Sequence, residues 1–258
     1  MPRNEISGAT AIVTGASRGF GRGIAAALTK AGARVTGVAR DGGQLAEVRA
    51  ELGESFTPVT GDAANPALAG QLIDAYRPDL LVLNAGATPL LRPIQRHTWE
   101  TFGLNWDVDV RHAFGWVREA LLAPLAPGST VITMSSGAAL AGSPLSGGYA
   151  GAKAAIRFLT SYAASEAERD GLDIRFVSVL PQLTPATALG AAAVAAYAAR
   201  AGADERSYAA SLGATPTPEL VGQAVASLAT DPSLDQPAYL LTGAGLRPVG
   251  LSYGGQDD

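Results

Sequence analysis

Short apolar runs and stretches of helical spacing take turns along this 258-residue chain from Thr10 to Thr242. Such alternation builds a parallel sheet with crossover helices on its faces. The runs Thr10 to Thr14, Arg34 to Ala39, Phe56 to Thr60, Asp79 to Asn84, Thr130 to Ser135, Asp173 to Leu180 and Ala238 to Thr242 read as strands. Between them, Phe20, Ile24, Ala27, Leu28 and Ala31 recur at helical spacing, and Gly32 ends that helix. Leu45, Val48 and Leu52 mark a second helix, closed by Gly53. Asn65 followed by Pro66 caps a third, running to Tyr76. Longer helices are expected from Trp99 to Leu125, with a possible kink, and from Tyr149 to Asp170, and a last one from Pro218 to Ala229. The fold class is therefore α/β, one doubly wound Rossmann-type domain with a parallel sheet of about seven strands and helices on both faces.

Composition narrows the function. Apolar residues make up 47% and charged residues 16%, too greasy a balance for disorder. Net charge is −4, which argues against a nucleic-acid partner. Cysteine is absent, so there is no disulfide, thiolate nucleophile or Cys-ligated metal. The two histidines, His97 and His112, do not make a metal site; His97 reads as a loop residue and His112 as a helix-surface or interface residue. No apolar run approaches the ~18 residues of a membrane span, and no targeting signal is read at the start, so we expect a soluble cytoplasmic protein without a membrane partner. Lysine occurs only at Lys30 and Lys153, which makes each informative.

Two constellations carry chemistry. The first is Thr14-Gly15-Ala16-Ser17-Arg18-Gly19-Phe20-Gly21, between the first strand and the first helix. Glycines at this place let the backbone turn sharply, approach a pyrophosphate and pack helix on strand, while the helix start offers amides and the positive dipole end. No Gly-Lys-Ser/Thr follows, which disfavours a mononucleotide P-loop. The second is Tyr149-Ala-Gly-Ala-Lys153, whose ends share a helix face. A phenol is a poor acid or base near neutral pH, and an adjacent ammonium favours its ionised form. Ser136 lies thirteen residues before Tyr149, at a strand end, where open α/β sheets gather their active groups.

With Asn84-Ala85-Gly86 at the end of the fourth strand, these motifs resemble the short-chain dehydrogenase/reductase family from about Ala9 to Gly243. The resemblance implies an oxidoreductase moving a hydride between a nicotinamide dinucleotide and a small carbonyl or alcohol, most plainly a ketoreductase. It implies Tyr149 as proton donor or acceptor, Lys153 as partner of the ribose and of the phenolate, and Ser136 on the carbonyl, with Ser135 as the alternative. It further implies cofactor contacts at Gly15, Ser17, Arg18, Gly19, Phe20, Gly21, Arg40, Asp62, Ala63, Asn84, Ala85, Gly86, Tyr149, Lys153, Pro181 and Thr184. The family also implies a paired-helix interface, giving a homodimer or homotetramer; the helices around Val110–Leu122 and Ala152–Ala163 carry apolar residues beyond one stripe.

Two places depart from the family pattern. Asp109 stands where the family has an asparagine completing a proton relay, with Asn105 a competing candidate four residues earlier. Pro181-Gln182 replaces the usual Pro-Gly, so a side chain enters the nicotinamide region, and Thr184 either bonds the cofactor or caps its loop. The departures leave a lyase or isomerase on the same scaffold, or a cofactor-sensing binding protein, as competing readings. The acid that would select NAD is missing: Ala39 ends the second strand and Arg40 follows. Arg18 and Arg40 suit a 2′-phosphate, which points to NADP(H), the alternative being arginines on a solvated surface. Residues 1–249 are taken as one dinucleotide-binding and catalytic domain, with 185–216 as a substrate-binding loop or lid and 250–258 as a flexible tail. Leu90, Leu91, Leu140, Leu145 and Leu183 suggest apolar pocket walls.

Overall fold

The computed structural model describes residues 5–250, so the expected tail lies, Gly250 apart, outside the described residues. Strands β1 (Thr10–Thr14), β2 (Arg34–Ala39), β3 (Phe56–Thr60), β4 (Leu80–Leu83), β5 (Thr130–Met134), β6 (Arg175–Pro181), β7 (Ala238–Thr242) and β8 (Gly245–Pro248) form one sheet in the order β3-β2-β1-β4-β5-β6-β7-β8. Every pairing from β3 to β7 is parallel. The order reverses direction between β1 and β4, which opens a crevice at their carboxyl ends, where ligands bind in such sheets.

Successive strand residues point to opposite faces, and the two cores follow that rule. In β1, Ala11 and Val13 face one core while Ile12 faces the other. The first core is covered by α1 (Gly19–Lys30), α2 (Gly42–Leu52) and α10 (Pro218–Thr230), through Ile24, Leu28, Leu45, Val48, Val221 and Val225. Opposite lie α3 (Pro66–Tyr76), α5 (Arg111–Leu122) and α7 (Gly147–Arg169), with Leu72, Trp116, Ala120 and Ala163 buried. The Trp99–Leu125 helix is three pieces: α4 (Trp99–Asn105), a π-helical stretch Trp106–Val110, and α5, which ends at Leu122. A short α6 (Ala138–Ala141) follows β5.

Three expectations need correction. The segment 185–216 is not an irregular loop: it contains α8 (Ala188–Ala201) and α9 (Glu205–Ser211). Alanine is the strongest helix former, the Thr187 and Asp204 side chains cap the two starts by accepting from Gly190 N (3.1 Å) and Ser207 N (2.9 Å), and Gly202 takes the left-handed conformation between them. β7 is not the last strand, because Gly243 and Ala244 turn the chain into antiparallel β8. His112 is not on the surface; it is 2% exposed, packed edge-on against Trp116. Among the described residues no helix is long and apolar enough to cross a membrane, and no group of three His, Cys, Asp or Glu side chains could hold a metal ion.

α1 carries the glycine turn, and its position is set by α10. The helices meet through glycine: a Cβ on Gly23 would lie 2.2 Å from Pro218 O, and one on Gly222 would lie 2.3 Å from Gly23 O. Both obstacles are backbone and cannot swing aside. Gly23→Ala should therefore force the helices apart and cost about 1–3 kcal/mol. A urea midpoint that falls with an unchanged slope is the expected result; an unchanged midpoint would show that the crossing tolerates a methyl group.

Candidate active site

The glycine turn leaves β1 at Thr14 and enters α1 at Gly19. Gly15 has φ +68°, and a Cβ there would lie 2.9 Å from Ala85 Cα and from Asn84 Nδ2. A Cβ on Gly21 would fall 2.0 Å from Gly15 O. The turn is thus closed from below and has no side chain to spare for these positions. α1 has no acidic residue in its first turn, so nothing opposes an anion at its positive end. Ser17 is buried and Phe20 packs on the first core. This cradle fits the pyrophosphate of a dinucleotide.

Asn84 and Thr14 stitch β4 to the turn. Thr14 Oγ1 accepts from Asn84 N (2.9 Å) and Ala85 N (3.1 Å) and donates to Val82 O (3.3 Å). Asn84 Nδ2 donates to Thr14 O (3.1 Å) and Gly15 O (3.3 Å). Beside it, Asp62 Oδ1 accepts from Ala64 N, and Ala63 O accepts from Trp116 Nε1 (2.9 Å). Arg18 and Arg40 are both exposed, and among the described residues neither guanidinium joins an ion pair. The acid nearest Arg40, Asp41, is turned to Gln44 N at 3.0 Å as the cap of α2.

The two serines part ways because of the strand's pleat. Thr133 and Ser135 point to α7: Thr133 Oγ1 meets Thr160 Oγ1 at 2.7 Å, and Ser135 Oγ donates to Lys153 O at 2.7 Å. Ser135 is 4% exposed, and its hydroxyl is consumed in fastening β5 to α7. Ser136 points the other way, is half-buried, and accepts only Ala138 N at 3.2 Å. Among the described residues its hydroxyl proton has no partner, which leaves Ser136 rather than Ser135 able to donate outward.

Tyr149 stands on the first turn of α7, half-buried. Lys153 is one turn on, buried, with Nζ 5.5 Å from the centroid of the Tyr149 ring. That ammonium donates to Met134 O (3.1 Å) and faces Asp109 Oδ2 at 3.2 Å. Asp109 Oδ1 accepts from Ala87 N at 2.7 Å. Asn105 also reaches this spot, donating from Nδ2 to Ala87 O (2.9 Å) and toward Asp109 Oδ1 (3.4 Å). Asp109 is therefore the residue that meets Lys153, and Asn105 braces it. The π-helical turn supplies the geometry, as such wide turns do at functional sites. A Cβ on Gly86 would lie 2.8 Å from Asp109 Oδ2, so a side chain there would push the carboxylate out of place.

Electrostatics follows from burial. Desolvation opposes the charge on Lys153, but Asp109 and Tyr149 together outweigh it and hold its pKa above the ordinary lysine value. His112 moves the other way: burial first, then the Lys153 charge, push it down to about 3, so it is a neutral imidazole behind Ala85. On the far side, Gln182 Nε2 donates to Leu212 O (3.2 Å), turning the side chain toward the end of α9. Pro181 O accepts from Gly137 N. Thr184 Oγ1 donates to Thr215 Oγ1 and accepts from Ala186 N, a loop-capping arrangement. Of the expected apolar walls, Leu90 and Leu140 are exposed, while Leu145 is buried.

Against known proteins, the profile of the short chain dehydrogenase family matches residues 9–198. The chain belongs to the short-chain dehydrogenase/reductase family. Curated relatives include L-xylulose reductase of Bos taurus, 31% identical over 184 residues, covering 70% of this chain and 75% of that protein. Another is carbonyl reductase [NADPH] 2 of Sus scrofa, 30% identical over 165 residues, covering 63% and 67%. Among solved structures, 3-ketoacyl-(acyl-carrier-protein) reductase from Brucella melitensis complexed with NADH superposes with a TM-score of 0.77 at 23% identity, covering 93% of this chain and 98% of that one. As a short-chain dehydrogenase/reductase the protein is an oxidoreductase working between carbonyl and alcohol with a nicotinamide cofactor.

Sequence reasoning had no means of seeing that Asn105 and Asp109 act on one backbone unit, Ala87, or that Gln182 turns to α9. Both depend on contacts between elements distant in sequence. The Lys153–Asp109 pair makes a test available. Asp109→Ala leaves a buried ammonium without its counter-charge and should cost about 3–5 kcal/mol. Asp109→Asn keeps an acceptor for Ala87 N and should cost less. Because the folded Lys153 pKa is raised, its contribution is complete below the unfolded lysine value of about 10.4 and is lost as pH rises through the folded value. The stability gap between wild type and Asp109→Asn should accordingly hold to about pH 10 and narrow above it in denaturant titrations. A gap that widens there would contradict the pairing.

Proposed function

We propose that the protein is a ketoreductase that uses NADP(H) on a small carbonyl or alcohol, with Tyr149 as general acid/base, Lys153 as its charged neighbour and Ser136 on the substrate oxygen. The observation that carries the reading is the single buried ammonium of Lys153, fixed by Met134 O and Asp109 and set 5.5 Å from the Tyr149 ring. A nicotinamide bound along the crevice supplies or accepts the hydride. Ser136 holds the substrate oxygen with its outward hydroxyl proton, and Tyr149 gives that oxygen its proton during reduction or removes it during oxidation. Lys153, positive near neutral pH, favours the phenolate left behind and keeps its third N–H for the ribose. Gly15, Gly19 and Gly21 admit the pyrophosphate, Ser17 and Phe20 flank it, and Asn84, Ala85, Gly86, Asp62 and Ala63 line the adenosine side; Pro181 and Thr184 border the nicotinamide side.

The competing readings are a lyase or isomerase on this scaffold and a cofactor-sensing binding protein. The intact Ser136–Tyr149–Lys153 set favours redox chemistry, and loss of NADPH absorbance on a panel of carbonyls separates the three. Tyr149→Phe should leave cofactor binding nearly unchanged and lower kcat by about 10²-fold or more, the scale of a lost general acid. A variant keeping a third of the wild-type kcat would overturn the assignment.

For the choice of NADP(H), Arg18 and Arg40 are exposed, β2 ends on Ala39 rather than an acid, and Asp41 is engaged as a helix cap. Guanidinium groups make charge-assisted bonds to phosphate. The relative whose name carries NADPH accords with this, while a fold neighbour was solved with NADH. kcat/KM should favour NADPH over NADH, and Arg40→Ala should shrink that preference by about tenfold, the loss of one charge-assisted contact. A wild-type preference for NADH would end the proposal.

Self-association completes the reading. Phe114 and Leu122 on α5, and Phe158 and Tyr162 on α7, are all more than half exposed, with the last two rings stacked at 6.3 Å. Apolar surface of this kind on neighbouring helices suits a two-fold dimer or tetramer. Light scattering at micromolar concentration should give a multiple of 26.1 kDa; the monomer mass would refute it.

A further inference from the structure

Outside the site already described, one polar cluster joins two elements that the chain separates widely. Ser143 and Ser146 lie in the connection before α7, and Tyr197 lies on α8. Ser143 Oγ accepts from Ser146 N (3.0 Å) and from Ser146 Oγ (2.7 Å), with Leu145 N a longer third donor at 3.4 Å. A hydroxyl has two acceptor sites and one proton. With both acceptor sites engaged, the Ser143 proton goes to the Tyr197 hydroxyl, which it contacts. The Tyr197 proton then goes to Ser146 Oγ at 3.1 Å. Each hydroxyl donates once around a closed ring, and such rings strengthen their members. Tyr197 is left with no proton to offer a substrate, so its hydroxyl serves geometry and not acid chemistry.

The ring has leverage at both ends. Ser146 is the residue before α7, its carbonyl accepts the Ala150 amide at 2.9 Å, and Tyr149 is the third residue of that helix. The connection is held from a third side by Arg92 N donating to Leu145 O at 2.8 Å. At the other end, the Tyr197 ring packs on Tyr208 with centroids 6.4 Å apart, so α8 and α9 are tied to each other. Gln182 and Thr184 fasten the far end of that pair through Leu212 O and Thr215 Oγ1. Among the described residues, the hydrogen bonds from α8 to the start of α7 run through the Tyr197 hydroxyl.

We propose that Tyr197 is a positioning residue: its hydroxyl closes a three-membered ring with Ser143 and Ser146 that fastens α8 to the first turn of α7 and so fixes where Tyr149 stands against the substrate. The inference rests on the reading of Tyr149 as the acid/base. Its test combines amide hydrogen exchange, which needs no activity, with NADPH-linked kinetics on Tyr197→Phe, Ser146→Ala and the double variant. Tyr197→Phe keeps the ring system and loses only the hydroxyl. Exchange across residues 188–201 should rise about tenfold, the scale of one net hydrogen bond, with the central strands unchanged. kcat should fall by about tenfold while cofactor affinity stays within about twofold, and the double variant should be no worse than either single one, because the hydroxyls act as a unit. Unchanged exchange, additive losses, or faster exchange with an unaltered kcat would each overturn the proposal. If Tyr197→Phe fails to fold, Ser146→Ala breaks the same ring and is read the same way. If the wild type reduces no carbonyl, the reading of Tyr149 fails by itself, and the positioning role falls with it whatever α8 does in exchange.

Discussion

A buried ammonium beside a buried carboxylate organises the catalytic end of the sheet. Taking both charges out of water costs several kcal/mol per ion, and their attraction repays this only with good geometry and further bonds. Lys153 Nζ meets that condition through Met134 O, and Asp109 through Ala87 N and Asn105 Nδ2. The end of β5, the turn after β4, the π-helical stretch and α7 are thereby made to agree on one point in space. Removing any of these contacts leaves a charge or a dipole unanswered. The pair is a device for specifying positions more than a source of net stability.

Close approach of the helices makes the pair possible, and small residues make the approach possible. A Cβ on Gly148 would lie 2.1 Å from Phe102 O, so α4 and α7 touch at the backbone just before the wide turn begins. Gly151 lies against the Trp106 ring, where an added Cβ would sit 3.4 Å from the indole. The stretch Ala152–Ala163 of α7 reads from sequence as a face for a second copy. Gly148 and Gly151, just before it, serve a contact within the chain, and the exposed side of the stretch holds Phe158 and Tyr162.

Legibility followed the strength of the local signal. Leu80, Leu81, Val82 and Leu83 are apolar on both faces and could only be a buried strand, and Asn65-Pro66 announces a helix start wherever it stands. α8 has alanine where a stripe of large side chains would be, so helical spacing leaves no contrast to detect, and the Thr187 and Asp204 caps are seen only in the fold. His112 reads from sequence as a helix-surface or interface residue, because nothing local tells which flank of the helix meets Ala85. Ser135 and Ser136 are indistinguishable as letters. Only the pleat, which sends Thr133 and Ser135 to α7, separates the one that is consumed from the one that is free. The Asp109 position is legible by family pattern, and with it a negative charge near Lys153; the direct contact between two residues 44 apart needs the fold to bring it about.

The turn 84–87 joins the glycine turn of β1–α1 to the cluster around Lys153. On one side Asn84 and Ala85 are bound to Thr14 and Gly15 of the glycine turn. On the other, Ala87 is bound through both its amide and its carbonyl to Asp109 and Asn105. Gly86, between them, lies against Asp109, which a side chain there would push out of place. Four residues are thus held from two directions by bonds whose other ends lie in different elements. The two constellations that are separate motifs in the sequence are, in the fold, linked through this one turn, the glycine turn directly and Lys153 by way of Asp109.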